Sequence, residues 1–182
     1  LYVWGFQLEQ GSYATSYIPT SGSVQTRVAD TATGAGNSTV INSSEGVLYA
    51  EISALANELV SRSISLNNGS SNRVVLQFKS NGTEVLSGVV VNGSLQGNSM
   101  SYLVSQTLIL KMAISYRQND FKFFVNGIKV GSSTGNTFPN GTLNTLSFES
   151  GGGTEPFYGK TKSLQVYTTA LSDAELISLT TI

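Results

Sequence analysis

The chain has no histidine and no cysteine in 182 residues. Metal sites built on imidazole or thiolate, cysteine nucleophiles and serine–histidine triads are therefore excluded. Disulfides are excluded too, so cysteine usage does not report a redox compartment. Charge is scarce: 10 Lys and Arg stand against 11 Asp and Glu, and charged residues make up 12% of the chain, about half the usual share. Electrostatic binding of nucleic acid needs clustered cations that displace counterions, and a peripheral membrane anchor needs a polybasic segment; the sequence has neither. No apolar run approaches the roughly 18 residues of a membrane-spanning helix. From Leu1 to Gly11 there is neither a basic start nor a continuous apolar stretch, which argues against a signal peptide. A start at Leu1 rather than methionine suggests a fragment or a processed product.

In place of charge the chain carries 27 Ser, 18 Thr and 14 Asn, 59 of its 182 residues. Its length suggests one domain with a sizeable core. The dominant pattern is alternation with period two, which sends successive side chains to opposite faces of a strand. It predicts strands at Val47 to Ala54, Leu59 to Leu66, Arg73 to Lys79, Glu84 to Val91, Leu108 to Tyr116, Phe121 to Val125, Ile128 to Val130, Leu143 to Glu149 and Thr161 to Tyr167. Shorter strands are expected at Val40–Ile41 and Tyr102 to Val104. The inward set is Leu48, Ala50, Ile52, Val74, Leu76, Phe78, Leu108, Leu110, Met112, Ile114, Phe121, Phe123, Val125, Leu146, Phe148, Leu164 and Val166.

Five Asn-Gly pairs, at 68, 81, 92, 126 and 140, punctuate these strands. Both residues tolerate the positive φ of a type I′ hairpin turn, so the pattern points to an antiparallel sandwich or barrel. One helix is expected. Ser172-Asp173-Ala174-Glu175 forms a capping box, with Leu171 and Leu176 at the staple positions, and the helix starts at Asp173. The front of the chain differs: Tyr2, Trp4, Phe6 and Leu8 alternate, then Gly11 to Thr39 is rich in Ser, Thr and Gly, with a strand near Ala14 to Ile18. Residues 1–29 read as a strand and linker arm, and residues 30–182 as the main domain. An apolar stripe on a lone arm is an association site, so a homo-oligomer through this arm is expected, a trimer among the options.

The segments Lys111-Met112-Ala113-Ile114-Ser115-Tyr116 and Phe121-Lys122-Phe123-Phe124-Val125-Asn126-Gly127 resemble a strand pair of laminin-G-like, concanavalin-A-like jelly rolls. Phe157-Tyr158-Gly159, Leu164, Val166-Tyr167 and Ala170-Leu171-Ser172-Asp173-Ala174-Glu175-Leu176 are similar to that family's closing strand and helix. The resemblance implies an all-β, antiparallel jelly-roll sandwich with a short C-terminal helix. It leaves function open among lectins, binding modules, glycosidases, lyases and spacers. Trp4 to Glu9, Ala14 to Thr20 and Thr26 to Asp30 look like a junction in phage tail-fibre and virion proteins. That likeness implies a location on the virion surface, or an extracellular one.

Glycosidases of this superfamily cluster carboxylates as Glu-x-Asp-x-x-Glu, and glycoside hydrolysis needs two of them. Here Glu51 stands alone on its strand, and Gly151-Gly152-Gly153 separates Glu149 from Glu155. Tyr116 and Arg117, neighbours on one strand, point to opposite faces. An enzyme is not expected, and no cofactor is called for. Calcium, which takes oxygen ligands, has as candidates Asp30, Asn119 with Asp120, and Glu149 with Glu155; turn chemistry explains Asn119-Asp120 equally well. Tyr49, Tyr102, Phe124 and Tyr158 are rings that could meet a sugar face. The candidate loops are Asn67 to Asn72, Gln96 to Tyr102, Asn119 with Asp120, and Gly151 to Tyr158. The named ligand-binding residues are Tyr158, Glu155, Asn119 and Tyr102, with a cell-surface glycan as partner, neutral or weakly charged. A structural spacer is the alternative.

Overall fold

A computed structural model of the chain describes residues 5, 7–8, 17–19, 21–25 and 35–182. The chain divides into two compact units, Leu1–Thr31 and Ala32–Ile182. In the first, the Ile18 amide donates to Gln7 Oε1 at 2.7 Å. Tyr2, Trp4 and Phe6 of the expected first strand, most of the strand near Ala14 to Ile18, and the calcium candidate Asp30 lie outside the described residues.

The second unit is an antiparallel sandwich of two sheets closed by one helix. Its strands are β1 (Glu45–Ser53), β2 (Arg62–Asn67), β3 (Arg73–Phe78), β4 (Glu84–Val91), β5 (Ser94–Leu95), β6 (Met100–Leu103), β7 (Leu110–Arg117), β8 (Asp120–Val125), β9 (Ile128–Ser133), β10 (Thr145–Ser147) and β11 (Lys160–Tyr167), followed by α1 (Asp173–Thr180). One sheet runs β11-β1-β7-β8-β9; the other runs β10-β2-β3-β4-β5, with β6 also paired to β4. This is the jelly-roll sandwich that the alternation and the resemblance implied. Two Asn-Gly pairs make two-residue hairpin turns: Asn92-Gly93 joins β4 to β5 and Asn126-Gly127 joins β8 to β9, with all four φ values between 50° and 79°.

The alternation puts Leu48, Ala50, Ile52, Ile64, Leu66, Val74, Leu76, Phe78, Met112, Ile114, Phe121 and Phe123 into one cluster between the sheets. Lys111 and Lys122 stay partly exposed while Met112 and Phe123 are fully buried, so the expected register holds. Leu146, Phe148, Leu164 and Val166 are only partly buried against that core, because they sit toward its margins. Three expectations fail at strand ends. Leu108 is 60% exposed, because pairing with β1 stops at Ile52–Leu110. Leu59 and Val60 are exposed, because β2 begins only at Arg62. Val40–Ile41 is a turn in which both amides donate to the Asn37 carbonyl, although Ile41 still reaches the core.

The other face of the first sheet is sealed by α1. Val47, Tyr49, Ala113 and Phe124 pack against Leu176, with Leu171 and Leu179 alongside. Tyr49 and Phe124 therefore lie under the helix rather than at a sugar-facing surface. The capping box forms as the sequence predicts: the Ser172 side chain accepts from the Glu175 amide, and the Glu175 carboxylate accepts from the Ser172 amide. Those bonds to Ser172 hold the Glu175 carboxyl below its ordinary range.

Candidate functional site

The four candidate loops come together as two pairs. The first pair forms a strap over one end of the second sheet. A Cβ on Gly151 would meet Asn67 and the Gly69 carbonyl, and one on Gly152 would meet Ser70, so the Gly151 loop lies directly against the β2–β3 turn. Ser65 Oγ donates to the Glu149 carbonyl at 2.7 Å, and Asn67 Nδ2 donates to Ser147 Oγ at 3.1 Å. The centre of the strap is Glu155, at the left-handed φ of 56°. A non-glycine residue rarely adopts that conformation without compensation. Here the Glu155 carbonyl accepts from the Ser63 amide at 2.9 Å, and its Oε2 accepts from Ser63 Oγ at 2.9 Å and Gln77 Nε2 at 2.6 Å.

The strap ends at Tyr158. Its ring lies over the Arg62 guanidinium at 4.7 Å, and its hydroxyl donates to Glu58 Oε2 at 2.7 Å. Arg62 shares its strand face with Ile64 and Leu66 and is 1% exposed. Its Nη2 reaches the Ala56 carbonyl at 3.3 Å and Glu58 at 3.4 Å, while Nε and Nη1 have no partner in the protein. Burial, then the Glu58 carboxylate, raises the Tyr158 pKa. Glu155 and Tyr158 are thus both directed at other parts of the protein, whereas Glu149 Oε2 is buried without a hydrogen-bond partner among the described residues.

The second pair of loops frames an open recess of about 320 Å³, lined by Gly97, Asn98, Asn119, Asp120, Ser132, Ser133 and Thr134. Its geometry follows from backbone constraints. Asn119, at φ 58°, turns β7 into β8 and donates its amide to the Gly135 carbonyl at 2.9 Å. Gly97 presses on β9 so closely that a Cβ would collide with Ser133 Oγ and the Thr134 carbonyl. The Asn98 amide donates to Ser133 Oγ at 2.8 Å, and Gln96 Oε1 accepts from the Asn136 amide at 3.1 Å. Asp120 Oδ2 is held by Arg117 at 2.7 Å and Lys122 at 3.3 Å. Lys122 also reaches Asp173, which Lys129 meets from the other side. Burial pulls the Lys122 pKa down, but its bonds to Asp173 and Asp120 prevail and raise it. Among the described residues, the side-chain amides of Asn98 and Asn119 make no hydrogen bond. The recess therefore offers amides, hydroxyls and one oriented carboxylate, a set matched to a hydroxyl-rich ligand.

Glu155 and Tyr158 fall on the strap, Asn119 in the recess. Tyr102, on β6, packs its ring against the core between the sheets. Glu155, Tyr158 and Asn119 are thus placed in two locations rather than one. Asn98 lies inside the candidate loop Gln96 to Tyr102, whereas Ser132, Ser133, Thr134 and the Glu58–Arg62 pair lie outside every candidate read from the sequence. The signal for Arg62 was its parity with Ile64 and Leu66, which marks a core-facing position. Among the described residues no group of three or more Asp or Glu gathers to hold a metal ion. Asp120 is engaged by two cations and Glu155 by Ser63 and Gln77.

Two antiparallel sheets in these orders, with a helix on one outer face, define a lectin-like jelly roll. The family model of the concanavalin A-like lectin/glucanases superfamily matches residues 61–177, and the chain belongs to that superfamily. A module of the Ruminococcus gnavus IT-sialidase, CBM40, solved with α2,3-sialyllactose, superimposes with a TM-score of 0.63 at 20% identity, covering 81% of this chain and 93% of that one. The heptameric SAP-like pentraxin of Limulus polyphemus gives 0.60 at 14%, covering 80% and 72%. Domain 4 of the Geobacillus stearothermophilus arabinanase AbnA, in complex with arabinotriose, gives 0.59 at 14%, covering 80% and 70%. At these identities the likeness is one of fold. Comparison with the curated proteins finds no match.

Proposed function

We propose that the chain is a non-enzymatic carbohydrate-binding domain and that the recess between the β5–β6 loop and β9 holds the saccharide. The observation that carries this reading is the recess itself. It has the volume of a small-ligand site, and each lining residue is a glycine or carries an amide, hydroxyl or carboxylate. Such groups satisfy sugar hydroxyls, and the free amides of Asn98 and Asn119 need no internal bond broken to do so. One carboxylate lines it, whereas glycoside hydrolysis uses two. Two structural neighbours are described with bound saccharides, sialyllactose in one and arabinotriose in the other, which supports the class of ligand. The net charge of −1 favours neutral or weakly charged sugars over polyanions.

The proposal extends to a phage tail fibre or related virion surface, or an extracellular location, where the domain adheres to a host glycan. That extension rests on the likeness of the front segment alone. Oligomerisation through residues 1–29 belongs to it, and sedimentation of the full chain tests it. The binding claim is tested by titrating neutral oligosaccharides into the chain and following amide chemical shifts. Shifts centred on Asn98, Asn119 and Ser132 to Thr134 are the expected result. Shifts confined to the strap, or none across a broad panel, overturn the assignment and leave a structural spacer.

A further inference from the structure

The five Asn-Gly pairs share one chemistry and differ in how the fold holds them. An asparagine side chain followed by glycine is prone to attack by the glycine's backbone nitrogen, because no Cβ shields that nitrogen. The attack needs the nitrogen free of hydrogen bonding. In four pairs it is engaged. The Gly69 amide donates to Asn67 Oδ1 at 3.1 Å, Gly82 to the Lys79 carbonyl at 3.2 Å and Gly93 to the Ser71 carbonyl at 2.8 Å, and Gly127 to Thr180 Oγ1 at 3.1 Å. Two of the asparagines are pinned as well. Asn81 bonds the Glu84 carboxylate and the Thr83 amide, and Asn126 Oδ1 accepts from the Lys111 amide.

The fifth pair is different. Asn140 and Gly141 are exposed at the middle of a turn closed by the Thr142 amide donating to the Pro139 carbonyl at 3.2 Å. Among the described residues, neither the Asn140 side chain nor the Gly141 N–H has a hydrogen-bond partner. Gly141 lies at φ 76°, and no atom comes within 4 Å of the place a Cβ would take.

We propose that Asn140 is a site of spontaneous deamidation, the one pair of the five that the native fold leaves unprotected. The Gly141 nitrogen loses its proton and bonds to Asn140 Cγ; the Cγ–Nδ2 bond breaks, and Nδ2 departs as ammonia carrying that proton. Water then opens the cyclic imide at one carbonyl or the other, giving aspartate or isoaspartate. No oxidant or enzyme enters the balance. Each product adds one negative charge to a chain whose net charge is −1. Isoaspartate also lengthens the backbone between Phe138 and Leu143, both of which are seated in the core, so the aged chain melts below the fresh one.

The test incubates the full chain in mildly alkaline buffer and maps peptides by mass spectrometry with isoaspartate detection. Asn140 is expected to react faster than each of the other four by at least about fivefold, the factor that one net hydrogen bond is worth. In denaturant the five rates should converge, because all five are Asn-Gly. Gly141→Ala should slow the reaction at 140 alone, and Asn140→Gln should remove most of the more acidic species on ion exchange. Equal native rates, or another pair leading, overturn the proposal. So does a native ranking that persists in denaturant, since local sequence would then set it rather than the fold.

Discussion

The strap and the recess are built from the same kinds of residue and use them oppositely. On the strap, Glu155 spends its carboxylate on Ser63 and Gln77, and Tyr158 spends its ring on Arg62 and its hydroxyl on Glu58. In the recess, backbone groups and Ser133 brace the loops while the amides of Asn98 and Asn119 face solvent. A ring, a carboxylate and a glycine-rich loop do not by themselves make a binding site. What separates ligand recognition from internal architecture is whether the hydrogen-bonding capacity is already consumed. Strap substitutions should therefore cost stability and spare binding, and recess side chains should do the reverse.

The largest effect expected is the one that breaks this division. Gly97 belongs to the recess but serves as architecture, since a Cβ there would run into Ser133 and Thr134 at a φ of 62°. Gly97→Ala should cost about 3 kcal/mol from overpacking and left-handed strain together, and saccharide binding should disappear with it. Chemical denaturation alongside the titration would show both losses. Intact stability would mean the loop can shift away from β9.

Glu58→Ala comes next. It leaves the buried Arg62 guanidinium without its carboxylate, and an uncompensated buried charge is costly, whereas replacing Arg62 leaves only the partly exposed Glu58 unpaired. Glu58 is partly exposed and its contact with Arg62 is long at 3.4 Å, so a loss of about 2 kcal/mol is expected rather than the full buried-pair value. Arg62→Met should cost less, because two guanidinium nitrogens already lack partners. An Arg62→Met chain less stable than Glu58→Ala would show that the stacking on Tyr158 outweighs the ion pair. Glu155→Gln, which weakens two charge-assisted bonds at the strap's centre, should cost about 1 kcal/mol and leave saccharide titrations unchanged.

The strap should also respond to alkali. Burial, then Glu58, raises the Tyr158 pKa above the ordinary value near 10. A raised pKa means the folded state disfavours the phenolate. The stability contributed by Tyr158 is complete below its ordinary pKa and is lost as pH climbs through the folded one. Tyr49 and Tyr116 are shifted in the same direction, so the signal is a difference. Tyr158→Phe should show a shallower loss of stability above about pH 10 than the unaltered chain. Identical slopes would place Tyr158 outside the alkaline transition.

The strands, their inward faces and the capped helix were legible because each depends on neighbours two to four residues away. Met112 and Phe123 are buried and Lys111 and Lys122 partly exposed by simple alternation. Where a strand stops is set instead by its partner. Leu108 continues the apolar pattern of β7, but β1 offers it no pairing residue beyond Ile52. The candidate loops were legible from glycine, asparagine and aromatic content, yet their pairing was not. Gly151 meets Asn67, and Gly97 meets Ser133, through the crossing of strands far apart in sequence. Tyr158 read as a sugar platform for the same reason: nothing near it in sequence announces that Arg62 waits beneath its ring.

The smallest effect on stability, and the one that bears most directly on function, is expected at Asn119. Its side chain makes no hydrogen bond among the described residues, so Asn119→Ala removes no bond of the fold there. The main-chain position is less neutral, because φ is 58° and asparagine tolerates that region better than alanine. Asn119→Gly separates the two terms: it deletes the amide and relieves the backbone. The glycine variant should melt within about 0.5 kcal/mol of the parent and still lose saccharide binding, whereas the alanine variant loses binding with a somewhat larger stability cost. If Asn119→Gly binds as the parent does, the amide is not a ligand contact and Asn98 becomes the residue to substitute. If it binds nothing but is also broadly destabilised, the loss reports the loop rather than the amide. The same titration on Asn98→Ala then discriminates, because Asn98 braces its loop through the backbone amide to Ser133 Oγ, which the substitution keeps.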